Sequence, residues 1–317
     1  FDEMINYKEG DRGFKVKAED TYGYITISTL PVTYKTIPGP SLTLTESTIF
    51  AGTDVKKGVS MQIESVRGVH EVVIYRIENG SEVEALRETR SGEHTLNYAP
   101  EIDFTEATSK LKVVVSDGRE GKEATGYVKA YVNMDVATLN VGSQPLANNA
   151  HEKYPDAFGM VSLNDLKTYS VDYAIANEAN AKNIDFKFYC FGAAGSPRLY
   201  SMDNTGKDSE FSGSTGKLSA IKVKNLTRFA ILSNFDYENA TVTSISSEIL
   251  SSSITQSLLD PIAVGNIIAF RTGGSSAAGG GRIGVMKVIN ITEPKDLVSS
   301  NATARVMTVE IKFPQKK

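Results

Sequence analysis

One strand–turn–strand pattern occurs twice in this chain. Phe14-Lys-Val-Lys-Ala-Glu-Asp20 and Leu111-Lys-Val-Val-Val-Ser-Asp117 each open on an apolar residue, alternate, and reach an aspartate six positions later. A glycine-containing turn follows each aspartate, and then a second alternating run, at 24–30 and at 126–132. Alternation at period two buries one face of a strand, and the turn residues set the register. The repeat therefore predicts two closing hairpins of immunoglobulin-like sandwiches.

A chain of 317 residues is too long for one hydrophobic core and predicts two or three domains. We expect a mainly β protein, in which tandem immunoglobulin-like β-sandwich modules precede a larger β-rich C-terminal domain with one or two short helices. The predicted boundaries are 1–36 for the closing hairpin of a truncated immunoglobulin-like module, 37–135 for an immunoglobulin-like β-sandwich and 136–317 for the C-terminal domain. Thr36-Ile-Pro-Gly-Pro40 marks the first boundary, because its prolines and glycine cannot continue a strand.

The first 36 residues supply only the tail of a sandwich that needs about seven strands. Because the chain starts at Phe1, we expect the mature or trimmed part of a longer exported precursor. Either a preceding segment completes this module, or the hairpin packs on the second module with an exposed edge that could pair with another strand.

Local patterns predict further elements. An alternating run at 71–77 is followed by Asn79-Gly80, the turn typical of a two-residue hairpin. Apolar residues recur at helical spacing over 243–259, and 175–182 is also compatible with helix.

Composition excludes several classes of protein. The 34 basic and 38 acidic residues nearly balance, so capture of nucleic acid is disfavoured. No apolar stretch approaches the roughly 18 to 20 residues of a membrane span. The single cysteine, Cys190, excludes an internal disulfide framework, and its strand pattern predicts a buried, inert thiol. His70, His94 and His151 have ordinary surface or turn positions.

The sequence contains no set of residues with the types and spacing of a catalytic site. We therefore expect a protein that is not an enzyme, with no catalytic residue, metal or cofactor. The glycine-rich stretch 273–281 is followed by a strand pattern rather than a helix, which favours a long, mobile hairpin loop over a phosphate site. Residues 203–210 gather oxygen ligands but miss the spacing of a calcium loop, so a solvated turn is favoured. We expect Asp20 and Asp117 to cap their own turns.

Glycan binding is the main alternative to plain adhesion or spacing. Sugar platforms depend on exposed aromatic rings with polar groups beside them. Tryptophan is absent, but 14 tyrosines are available. The candidate ligand-binding residues are Tyr189, Phe191, Asp185, Lys187 and Tyr200, although such residues can equally cover a second core layer.

Three segments of the last domain suggest a family: Asn183-Ile-Asp-Phe-Lys-Phe-Tyr189, Val264-Gly-Asn-Ile-Ile-Ala-Phe-Arg-Thr272 and Gly284-Val-Met-Lys-Val-Ile-Asn-Ile291. The chain resembles exported Bacteroidetes surface lipoproteins with tandem immunoglobulin-like modules of polycystic-kidney-disease type, described as cell-adhesion or glycan-utilisation proteins. The lipid-anchoring cysteine of such proteins has no counterpart in this sequence.

The resemblance implies an exported protein at the cell surface or outer membrane, or facing the periplasm. It would contact the membrane only through an N-terminal lipid anchor outside this chain. We expect a non-catalytic adhesion or binding protein whose partner is a surface glycan or an extracellular protein, and not nucleic acid. The alternatives are a carbohydrate-binding component of a glycan-uptake system and a structural subunit that assembles by strand exchange.

Overall fold

The computed structural model describes residues 13–31, 37–192 and 195–316. Residues 1–12 and 32–36 of the predicted first module, including Thr36 of the predicted boundary, lie outside these ranges. The described chain is mainly β, with several sheets and few short helices, as the patterns predicted.

The first element is a hairpin of β1 (Gly13–Glu19) and β2 (Ile25–Pro31), paired antiparallel from Gly13↔Pro31 to Glu19↔Ile25. Asp20 closes the turn, because its Oδ1 accepts hydrogen bonds of 2.9 Å from the main-chain N–H groups of Tyr22 and Tyr24. The turn-capping role predicted for Asp20 is thereby confirmed. Among the described residues, neither strand pairs with any other strand.

The middle unit is a β-sandwich. Its strands are β3 (Ser41–Leu44), β4 (Thr48–Ala51), β5 (Lys57–Gly58), β6 (Met61–Glu64), β7 (Glu71–Glu78), β8 (Ser81–Thr89), β9 (Thr95–Tyr98), β10 (Glu101–Ile102), β11 (Thr108–Ser116) and β12 (Glu123–Val132). A five-stranded sheet in the order β4-β12-β11-β7-β8 faces a three-stranded sheet in the order β3-β6-β9. Strands β5 and β10 form a separate short pair.

Alternation places one side of each sandwich sheet in a shared core, which includes Leu111, Val113 and Val128. The Asn79-Gly80 hairpin is confirmed between β7 and β8. Its two residues have φ angles of 50° and 81°, which the turn requires and which asparagine and glycine tolerate. Asp117 caps its turn through a 3.2 Å bond from the N–H of Arg119, as predicted.

The C-terminal domain starts at Met134. Its elements are β13 (Met134–Gly142), β14 (Met160–Ser162), β15 (Lys167–Tyr169), α1 (Val171–Ala176), α2 (Glu178–Lys182), β16 (Phe186–Phe191), β17 (Ser196–Ser201), β18 (Arg228–Leu232), α3 (Val242–Glu248), β19 (Leu258–Leu259), β20 (Ile267–Arg271), β21 (Ile283–Ile291) and β22 (Val306–Pro314). Single 3-10 turns occupy Gln144–Leu146, Asp208–Glu210, Leu218–Ala220, Ser251–Ser253 and Pro294–Leu297.

This domain is layered. A first sheet in the order β13-β22-β21-β20-β18 packs on a second in the order β15-β14-β16-β17-β19, and the main core lies between them. The outer side of the second sheet is covered by α1, α2 and the 3-10 turns near 208 and 218. The outer side of the first sheet is covered by α3 and by Tyr131 of the sandwich. Both sheets are therefore buried on their two faces.

Two details of the helices differ from the sequence predictions. The helical segment 175–182 is two helices, because Asn177 is extended and caps α2. The helix predicted over 243–259 ends at Glu248, ahead of a serine-rich 3-10 turn. Asn133, whose φ of 49° interrupts an otherwise continuous strand, separates β12 from β13 close to the boundary predicted at 135.

Candidate functional site

The predicted sugar patch is largely interior. Lys187, Tyr189 and Tyr200 occupy one face of the β16–β17 ladder, with exposures of 0%, 2% and 4%. The segment from Asp208 to Ala220 lies over that face, with Phe211 and Leu218 packed on the rings. The prediction of a stacking platform at these positions is wrong. The alternative of a second core layer is what the structure shows.

Lys187 has a structural partner instead of a ligand. Its ammonium lies 2.5 Å from Asp208, and Lys224 contacts the other oxygen of the same carboxylate at 2.5 Å. Burial lowers the pKa of Lys187. This ion network holds the covering segment on the sheet.

Phe191 is the exposed member of the predicted set, at 46%. Arg198 lies 4.5 Å and Lys207 5.0 Å from its ring centroid. Tyr189 beside it donates a 2.5 Å hydrogen bond to Glu210. The ring is thus engaged by two cations of the same domain.

Asp185 directly precedes β16 and is fully buried. Its carboxyl accepts a 2.6 Å bond from the hydroxyl of Ser276 and a 2.8 Å bond from the N–H of Leu163. Burial raises the pKa of Asp185 to about 7. The group anchors the loop after β20 and has no route to a ligand.

That anchor corrects the prediction of a mobile loop at 273–281. The segment does connect β20 to β21 as a hairpin loop, but Ser276 and Ala278 are buried at 7% and 2%. Ser275 also bonds Asn225 at 2.7 Å, and the N–H of Ala277 bonds the carbonyl of Lys182 at 3.0 Å. The loop is packed against the domain.

The remaining sequence candidates have structural roles. Asp203 is paired with Arg228 at 2.8 Å, and Asp208 is paired with Lys187 and Lys224. These two carboxylates of the segment 203–210 therefore bind cations of the chain itself. Within the described ranges, no group of three His, Cys, Asp or Glu side chains is arranged to hold a metal ion. Cys190 is buried, as predicted, and burial raises its pKa to about 12.

The junction between the sandwich and the C-terminal domain is strongly held. Tyr131 of β12 shares an apolar cluster with Tyr237 and Ile245. Lys312, fully buried, donates to the carbonyl of Tyr237 and lies 4.2 Å from the centroid of that ring.

Polar contacts reinforce the junction. Glu238 pairs with Lys287 at 2.7 Å and reaches Lys129 of the sandwich at 3.7 Å. The main-chain N–H of Thr243 bonds the carbonyl of Glu106 at 3.2 Å. Two domains joined in this way present fixed surfaces to each other.

A cleft opens along this junction. Two adjoining cavities of about 640 and 710 Å³ share Glu106, Asn133, Gln315 and Lys316 in their walls. Helix α3 supplies an apolar floor through Val242 and Ile245, and Gly279 to Gly281 form a wall of bare main chain. At the centre, Asn133 donates 2.9 Å and 3.2 Å bonds to Glu106 and Thr53.

This cleft combines apolar and polar lining between two domains, the usual setting for a ligand site. Sequence reasoning missed it, because its residues come from distant segments that meet only after the domains pack. The one local signal was the glycine run at 273–281, whose pattern favoured a long, mobile hairpin loop over a phosphate site.

No family model matches the chain, and no curated protein matches it. Among the described residues, no helix has the length and apolar character needed to cross a membrane.

Proposed function

We propose that this chain is a non-catalytic binding protein that acts in adhesion at the cell surface and takes its ligand in the junction cleft. The observation that carries the proposal is the cleft itself, whose walls come from two domains held together by Tyr131, Lys312 and Glu238. A preformed site of this kind loses little conformational entropy when a ligand binds.

The environments of the potential nucleophiles and bases support a non-catalytic role. Cys190 is buried with a raised pKa. His94 and His151 each hold a ring nitrogen against a main-chain carbonyl, at 3.0 Å from Ser65 and 2.9 Å from Leu297. Export and surface attachment are supported by the resemblance to Bacteroidetes surface lipoproteins, and the partner would be a surface glycan or an extracellular protein.

The cleft proposal is tested by blocking the cleft. Ser246 lies on the exposed side of α3 and lines the cleft, whereas its exposed neighbour Ser247 does not. Wild-type protein, Ser246→Trp and Ser247→Trp are screened on arrays of bacterial, plant and host polysaccharides and of extracellular-matrix proteins. The cleft is supported if a ligand is found whose affinity falls by at least about tenfold in Ser246→Trp and is unchanged in Ser247→Trp. Equal binding by all three proteins contradicts it.

Assembly between copies is the second candidate function, because of the hairpin. Val16, Ile27 and Leu30 are 51%, 62% and 55% exposed. Strand β2 carries no charged residue, and its outer edge has no neighbour among the described strands. Uncharged edges with high β propensity pair readily with an identical edge. We propose that the occupant of this edge is β2 of a second copy.

The assembly candidate predicts a concentration-dependent dimer. Sedimentation velocity of the chain, from low to high micromolar concentration, is compared with that of Ile27→Lys and of Lys17→Ile on the neighbouring strand. Dimerisation that Ile27→Lys removes and Lys17→Ile retains supports pairing through β2. A monomer at every concentration, or a dimer that Ile27→Lys leaves intact, refutes it.

A further inference from the structure

The outward face of the five-stranded sandwich sheet carries an ordered row of side chains. Tyr75 of β7 is the cross-strand partner of Lys112 of β11, and Lys112 is the partner of Tyr127 of β12. Cross-strand partners lie on the same face of a sheet. One lysine therefore stands between two tyrosines in a single row.

The row is accessible at the β12 end, where Tyr127 is 57% exposed and Thr125 is also exposed. The two tyrosines lie two strand spacings apart, about 9 to 10 Å between backbones. The exposure of Tyr127 contrasts with the burial of Tyr189 and its neighbours. Aromatic side chains spaced along a flat sheet offer stacking contacts to successive rings of an extended ligand.

Positive charge accompanies the aromatic rings. The ammonium groups of Lys110 and Lys112 lie 6.0 Å and 5.6 Å from the ring centroids of Tyr127 and Tyr75. Lys112 is also paired with Glu82 at 2.8 Å. Lys110 forms no ion pair with any residue that the structure describes.

Lys110 also has a lysine as its cross-strand partner, Lys129. Like charges directly opposite each other destabilise a sheet. Within the part of the chain that the structure describes, the one carboxylate in ion-pair distance of Lys129 is that of Glu238, at 3.7 Å. An anion bound beside Lys110 would relieve this repulsion.

We propose that this face, defined by Tyr75, Lys110, Lys112 and Tyr127, binds an acidic polysaccharide, with sugar rings against the tyrosines and a uronate carboxylate at Lys110. The inference rests on the proposed binding role, but its surface is separate from the junction cleft. The requirement for an acidic sugar follows from the lysines, and the requirement for a polymer follows from two rings in one row.

The test uses affinity electrophoresis in gels containing polygalacturonate, alginate or hyaluronan, with dextran as the neutral polymer. Wild-type protein is compared with Tyr127→Ala and Lys110→Gln. Tyr22→Ala is the matched control, because Tyr22 is 87% exposed on the distant hairpin turn. Circular dichroism and thermal melting confirm that each variant is folded.

We expect retardation by at least one acidic polymer and none by dextran. Tyr127→Ala should weaken binding about tenfold through loss of a stacking contact. Lys110→Gln should weaken it at low salt more than at high salt, because the lost interaction is screened. Tyr22→Ala should match wild type.

Failure to bind any of the three acidic polymers overturns the inference, as does equal retardation by dextran or unchanged binding by Tyr127→Ala. Ser246→Trp, run in the same gels, separates the two sites. Retained binding by this variant supports the sheet face, whereas loss of binding assigns the polymer to the cleft and overturns the assignment made here.

Discussion

Ser276 donates a 2.6 Å hydrogen bond to Asp185, and this bond ties the glycine-rich loop to a carboxyl group between the two sheets of the C-terminal domain. The carboxyl has a pKa of about 7 in the folded protein, raised by burial from its ordinary value near 3.8. Between these two values the folded chain binds more protons than the unfolded chain.

Asp185 should therefore lower stability as the pH rises from 5 to 7. Asp185→Asn keeps a neutral group of similar shape at every pH. We therefore expect the variant to lack the part of the fall in unfolding free energy that Asp185 causes, which is about 1 to 3 kcal/mol for a pKa shift of this size. Urea unfolding of both proteins at pH 5, 6 and 7 measures the difference. If the two free energies of unfolding change in parallel over this range, Asp185 is already ionised in the folded state.

Ser276→Ala should loosen the loop without unfolding the domain. The substitution removes the bond to Asp185 and the bond that Ser276 accepts from the N–H of Ala278. We expect faster amide hydrogen exchange over 273–281 and a stability loss of about 1 to 2 kcal/mol. Ser247→Ala on the surface of α3 is the control. Unchanged exchange in Ser276→Ala would show that the neighbouring contacts of Ser275 and Ala277 suffice to hold the loop.

Lys312 should make the protein more stable as the pH rises from 8 to 10. Burial lowers its pKa to about 8 from 10.5, so in this window the unfolded chain holds a proton that the folded chain has released. Lys312→Met removes the charge and keeps most of the volume. We expect the pH-dependent gain to shrink by about 1 to 2 kcal/mol in the variant, as measured by urea unfolding. A gain of equal size in both proteins would assign it to other groups.

Lys187 and Asp208 should behave as a coupled structural pair. Lys187→Met leaves a buried carboxylate with Lys224 alone, and we expect a loss of about 2 to 4 kcal/mol. Asp208→Asn should reverse part of that loss in the double variant, because the buried carboxylate is then gone and the ion left without its Asp208 partner is the less buried Lys224. A double-mutant cycle by chemical denaturation measures the coupling. Additive losses would mean that the two charges do not interact appreciably.

Local chemistry was enough to predict the hairpins. The hairpins depend on alternation, on the Asn79-Gly80 turn and on the aspartates at positions 20 and 117. Each of these acts within a few residues, so the local sequence is sufficient to predict it. The burial of Cys190 also followed from alternation, since Phe186 and Phe188 lie on the same face of the strand.

The candidate site could not be predicted in the same way. Alternation shows that Tyr189 lies on the face opposite Cys190, but it does not show what covers that face. The cover is the irregular segment 208–220, which has no periodic pattern and is held by the buried Lys187–Asp208 pair. The junction cleft likewise depends on contacts between residues more than a hundred positions apart, such as Asn133 and Gln315.

The bond between those two residues also determines how the molecule would carry a mechanical load. The N–H of Gln315 donates to the carbonyl of Asn133 at 2.7 Å, so the last described strand returns to the point where the C-terminal domain begins. Tension applied between the sandwich and Gln315 would enter and leave that domain at one place. The force would fall first on this bond and then on the end of the antiparallel β13–β22 ladder, which would open pair by pair from Met134↔Pro314.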